Sequence, residues 1–183
     1  MRRSPFLKTS AVAMALAIAS HAALADDADP CSRFAWDVSH ELAVMKQAPQ
    51  AVSAGTKAGA DVPVLQLDKP YTLKLAGQNT VQYVMKPAKP TLDDGAQGGL
   101  FRFRSDKPGL YRVSITSGHW IDVIDGGQFV KSRDFSGSRG CEKPHKIVQY
   151  ELAGGHELTL QLSGSTDASI LLSITPVSAP AAH

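Results

Sequence analysis

The stretch KPGLYRVSITSGHWIDVIDGGQF, residues 107–129, decides the fold class. Lys107-Pro108-Gly109 is a turn. Tyr111, Val113 and Ile115 then alternate with Arg112 and Ser114, a period of two that belongs to a half-buried strand. His119 to Ile124 reads as a second strand, and Asp125-Gly126-Gly127 as a tight hairpin turn leading to Phe129.

The same rhythm extends in both directions. Upstream, Tyr71, Leu73 and Leu75 alternate, as do Val81, Tyr83 and Met85, and then Phe101 and Phe103 between Arg102 and Arg104. Downstream come 147–152, then Leu158, Leu160 and Leu162 after Ala153-Gly154-Gly155, and finally Ile170, Leu172 and Ile174. About nine short strands separated by turn residues predict an antiparallel, jelly-roll-like β-sandwich over 64–175. Trp120 and Ile124 fall on one face of their strand and Ile121 and Val123 on the other, so its outer face needs a cover.

The N-terminal region has a different period. Asp29-Pro30 reads as a helix start. Cys31, Ala35, Val38, Leu42 and Met45 recur at helical spacing, predicting a helix over 30–46 within a segment 26–47. That helix is the expected cover for strand 119–124. Residues 48–63, rich in Ala, Gly, Pro and Ser, read as a connector, and 176–183 as a flexible tail.

Residues 1–25 have the layout of a secretory signal peptide. Arg2, Arg3 and Lys8 precede the apolar run 11–19, and Ala23-Leu24-Ala25 offers a cut before Asp26. The full chain carries 19 Lys+Arg and 17 Asp+Glu. Removing three basic residues leaves 16 minus 17, or −1. A near-neutral domain argues against nucleic acid as partner. No later stretch is long and apolar enough to span a membrane as a helix. Export to the periplasm or beyond predicts that Cys31 and Cys141 pair. They would close a loop of roughly 110 residues, worth about 4–5 kcal/mol in the chain-entropy model.

The run Lys107 to Ile115, with Glu151-Leu152-Ala153-Gly154-Gly155 leading into Leu158-Thr159-Leu160 and then 165–174, resembles the small jelly-roll sandwiches of bacterial secreted proteins. These include the pre-peptidase C-terminal domains of secreted hydrolases. The phrases 31–39 and 140–148 resemble those of small exported proteobacterial proteins. The resemblance implies no catalytic residues.

Candidate chemistry is sparse, and no cofactor is expected. His40, His119, His145, His156 and His183 are scattered rather than grouped on one strand, as a cupin-type metal site requires. Cys141 and His145 have ligand-like spacing, but the disulfide takes the thiol. No metal is expected; were one bound, His119 and His145 would be its ligands. Ser136-Gly137-Ser138 and Ser163-Gly164-Ser165 lack the nucleophile-elbow pattern. Asp93-Asp94 reads first as a turn, and sequence alone does not pair Asp122 or Asp125 with a second acid across a glycosidic bond.

Two surfaces remain. The loop KSRDFSGSRGCEKPHK, 131–146, gathers Lys131, Arg133, Arg139, Lys143, His145 and Lys146, a candidate contact for an anion or acidic partner. Trp36 and His40, one helical turn apart, form a candidate helix contact. The expected function is a non-catalytic periplasmic or secreted binding domain, its partner another envelope protein or a glycan. The alternatives are a cupin-like metal-dependent oxygenase and an envelope structural or stress component.

Overall fold

A computed structural model describes residues 29–89 and 94–177. The leader, most of the tail, Asp93 and His183 lie outside them. The chain is mainly β, with the two-residue period realised in two facing sheets. Eight strands carry the architecture: β3 (Pro70–Lys74), β5 (Gln97–Arg104), β6 (Gly109–Ile115), β7 (Trp120–Asp125), β8 (Gln128–Phe129), β10 (Lys146–Leu152), β11 (Glu157–Ser165) and β12 (Ser169–Pro176). They pair antiparallel as β3 with β12, β5 with β11, β6 with β10 and β7 with β8. This is one long ribbon folded at Gly126-Gly127. Both glycines have positive φ, 54° and 81°, as a two-residue hairpin turn requires. Rolling the ribbon brings β12 against β6 and β11 against β7, which is jelly-roll winding.

Between the sheets, Phe101, Phe103, Leu160 and Leu162 of one face Val113, Ile115, Leu172 and Ile174 of the other in a single apolar core. Each such burial contributes roughly 1.5–3 kcal/mol. At the β7 edge the chain leaves for the opposite sheet after the Val130 amide donates to the Val123 carbonyl (2.8 Å). The Tyr150 hydroxyl crosses the core to donate to the Ile121 carbonyl (2.9 Å).

Four shorter or peripheral strands raise the count to twelve rather than nine: β1 (Gln50–Ser53), β2 (Val64–Leu65), β4 (Ala76–Gly77) and β9 (Ser132–Gly137). β1 and β2 pair parallel to β3 and β5, so the sheets are mixed rather than wholly antiparallel. β1 lies in what reads as the connector. The first tail residues are also tied down, since Pro176 ends β12 and the Val177 amide donates to Leu110.

The N-terminal helix is interrupted. A 3-10 turn, Pro30–Arg33, is followed by extended chain at Phe34 (ψ 152°), and only Ser39–Met45 is α-helix, here α1. The break has a polar cause. The Asp37 carbonyl accepts from Arg112 (2.8 Å), the Ala35 amide donates to Ser136 (3.1 Å), and the Asp37 carboxylate accepts from the Ser39 amide (2.9 Å). These contacts outcompete the helical bonds those groups would make. The strap formed by 30–46 lies on the outer face of the sheet that contains β6, β10 and β12, where Phe34 and Val38 pack with Cys141 and Ile147.

It does not cover β7. That task falls to 81–88, expected as a strand but laid over the sheet as irregular chain, with one isolated bridge at Gln82. Tyr83 donates to the Leu162 carbonyl (3.0 Å), Gln161 to that of Met85 (2.9 Å), and the Ala88 amide to Asp122 (3.1 Å). Gly98 permits the crossing, because a Cβ there would sit 2.1 Å from the Tyr83 hydroxyl.

Cys31 and Cys141 are joined, 110 residues apart in sequence. Replacing both by Ser should leave the β-sheet circular dichroism intact and lower unfolding free energy by about 4 kcal/mol in urea titrations. An unchanged midpoint would show that the strap is held without the crosslink.

Candidate functional site

The strap, the disulfide and the 138–145 loop form one face of the molecule. Its anchor is polar. Glu41, in the first turn of α1, is only 1% exposed, and both its oxygens lie 3.1 Å from Arg112 Nη1. Thr175 donates to Glu41 (2.9 Å), and Gln149, with its carboxamide oxygen turned inward, accepts from Arg112 Nε and Nη2 (3.0 and 3.2 Å). The guanidinium lies 5.1 Å from the Trp36 ring centroid. Trp36 is therefore half-buried packing on Arg112, with Nε1 enclosed, and not an open contact. His40 is exposed but bound to Asp68 (2.8 Å), tying α1 to the turn before β3. The two residues are fastenings of the strap, and the broken helix removes the shared face that sequence spacing gave them.

The basic loop also divides. Lys146 turns away, donating to the backbone carbonyls of Gly118 and His119. Burial, and then neighbouring Lys89, bring its ammonium down to about 8. Arg133, Arg139 and Lys143 are exposed and make no ion pair among the described residues. Arg133 stands on β9, the outermost strand of its sheet. His145 is exposed, with its amide bonded to the Ile115 carbonyl (2.9 Å).

Between the end of α1 and this loop runs a groove of about 1060 Å³. Leu42, Met45, Pro49 and Leu171 supply apolar surface, and Lys46, Gln47, Thr72, Glu142 and Lys143 supply polar groups. A second hollow of about 560 Å³ shares Gly140, Glu142, Lys143 and Leu171 with it and adds Thr116 and His145. The disulfide joins the two walls, Cys31 on one and Cys141 on the other. Such a groove is invisible in sequence, because its walls lie roughly 100 residues apart and its floor comes from β3 and β12.

The His, Asp and Ser side chains weighed for chemistry in the sequence make structural contacts. His119 is fully buried, with Nδ1 2.8 Å from the Ser117 hydroxyl. Its Nε2 makes no well-formed hydrogen bond. Burial lowers its pKa to about 4, against weaker raising effects from Asp167 and the Gln97 backbone. His119 and His145 do not form a ligand set, and no group of three or more His, Cys, Asp or Glu suited to a metal occurs among the described residues. Asp122 accepts from Trp120 Nε1 (2.8 Å), the Ala88 amide (3.1 Å) and Gln161 (3.4 Å), and so anchors the 81–88 cover. Asp125 pairs with His156 (3.2 Å). Ser136 accepts from Ala35, Ser138 donates to the Pro30 carbonyl, and Ser165 donates to Asp167.

Two tests follow from these geometries. Glu41→Ala strands a buried guanidinium and should cost about 3–5 kcal/mol, whereas the double exchange Glu41→Leu, Arg112→Met should cost much less. Equal losses in urea titrations would mean that the pair is not desolvated as described. His119 gives a pH signature. Its folded pKa lies below the unfolded value, so the unfolded chain holds more protons between about 4 and 6.5. Stability should fall as pH drops through that window, and His119→Phe should flatten this part of the profile.

No family model matches this chain, and no curated protein matches it.

Proposed function

We propose that this chain is a non-catalytic binding module of the cell envelope, periplasmic or secreted, whose braced groove takes a short glycan chain. The observation that carries the reading is the groove between α1 and the 138–145 loop, with its walls crosslinked by Cys31–Cys141. A preformed concave site loses little freedom on binding. Leu42, Met45 and Leu171 suit the C–H faces of sugar rings, and Gln47, Thr72, Glu142 and Lys143 suit hydroxyls. The disulfide fits an oxidising compartment, and no helix among the described residues is long and apolar enough to cross a membrane. No aromatic ring among the described residues lines the groove, so affinity should be modest, with Kd of about 0.1–1 mM. The cupin-type oxygenase has less support, since His119 faces Ser117 in the interior while His145 lies on the exposed loop.

The test is an NMR titration of the isotope-labelled protein with soluble β-linked oligosaccharides. Amide shifts should cluster at Thr72, Lys143 and Leu171, and Thr72→Val with Lys143→Ala should weaken binding several-fold. Shifts that are absent, or scattered away from these residues, would overturn the reading.

A further inference from the structure

β9 closes one side of its sheet, bonded to β10 and, among the described residues, to no other strand. The Ser138 amide donates to the His145 carbonyl. In an antiparallel ladder the bonding groups alternate, so those of Ser136 and Asp134 face β10. The N–H and C=O groups of Phe135 and Gly137 therefore point outward. The Phe135 amide confirms this, since it donates to the Asp134 carboxylate (2.8 Å) rather than across the ladder.

Proteins ordinarily guard such edges with charge, proline or cover. Here Phe135 is 70% exposed on the free strand, the most exposed large apolar side chain among the described residues. Arg133 shares its strand, Lys131 just precedes it and Arg139 follows in the loop, all exposed and without ion pairs among the described residues. Charge on the chain as a whole is nearly balanced, yet 131–146 holds five Lys and Arg against Asp134 and Glu142. The strand is also rigidly mounted, through the Ala35 amide on Ser136, Ser138 on the Pro30 carbonyl, and Cys141 in the disulfide.

We propose that β9 receives an extended acidic segment of a partner protein as the next strand of its sheet. Main-chain bonds to Phe135 and Gly137 would give affinity, a side chain packed on Phe135 would exclude water, and the unpaired cations would select acidic sequence. Asp134 acts as the resident guard, since its carboxylate occupies the Phe135 amide and repels acidic chain. This reading is independent of the groove and survives if no glycan binds there.

The probe is a short fluorescent peptide of alternating Glu and Val, followed by anisotropy against the full oxidised chain, with a Lys–Val peptide as control. The Glu–Val peptide should bind and the Lys–Val peptide should not. Arg133→Glu and Phe135→Ala should each weaken binding about tenfold. Gly137→Pro removes an outward amide and should abolish strand addition. Asp134→Asn should tighten binding, an outcome that a merely protective edge would not give. Thermal melts confirm that each variant is folded. Equal binding of the two peptides, indifference to both Arg133→Glu and Gly137→Pro, or no binding at millimolar peptide would overturn the proposal. Concentration-dependent dimers lost in Phe135→Ala would overturn it in favour of a second copy of this chain.

Discussion

A guanidinium buried on the outside of a β-sheet must be answered by oxygen atoms from elsewhere in the chain. Arg112 sits on β6, near the middle of its sheet, with its side chain on the face away from the core. Thr175 and Gln149 flank it on the neighbouring strands. Only the strap completes the shell, through Glu41, the Asp37 carbonyl and the Trp36 ring. The strap's departures from a regular helix follow from this demand, because Asp37 can present its carbonyl to Arg112 only if the chain is not coiled there.

The two sheets solve the same problem by different means. Each has an outer face that a bare sandwich would leave to solvent. One is closed by the strap, with an ion pair, a small apolar cluster and a crosslink. The other is closed by 81–88, held through Asp122, Gln161 and the Leu162 carbonyl. Both covers rely on side chains reaching backbone groups rather than on added strands. The face under the strap is less completely satisfied. The hydroxyls of Ser114 and Ser173, opposite each other in register, are buried without hydrogen-bond partners, a setting suited to ordered water.

Much of the fold is legible from alternation, since Tyr111, Val113 and Ile115, or Leu158, Leu160 and Leu162, have only one way to bury one side of a strand. The turn at Gly126-Gly127 and the cysteine pairing are legible for equally local or chemical reasons. Val81, Tyr83 and Met85 mislead because alternation also suits a chain lying across a sheet, and Gly98 looks like any strand glycine. The 30–46 periodicity misleads because the competing partners, Arg112 and Ser136, are remote in sequence. Of the candidate site, the basic loop is legible but its dispersal is not, since only the structure shows Lys146 turned toward Gly118 and His119. Phe135 is visible in the sequence, yet nothing local marks it as exposed.

The nested order of the ribbon also bears on how the chain matures. Its innermost hairpin, at Gly126-Gly127, lies in the middle of the sequence, and its outermost pair joins β3 to β12 near the end of the described chain. A polypeptide made from its N-terminus presents β3 long before the strand it needs. Few pairings are local, so compaction waits on late-arriving segments. During that interval Cys31 has no companion, and β3 and β5 present greasy, unzipped surface. Such a molecule stays open to its neighbours until its C-terminal strands arrive, and its crosslink then fastens the strap over the completed sheet.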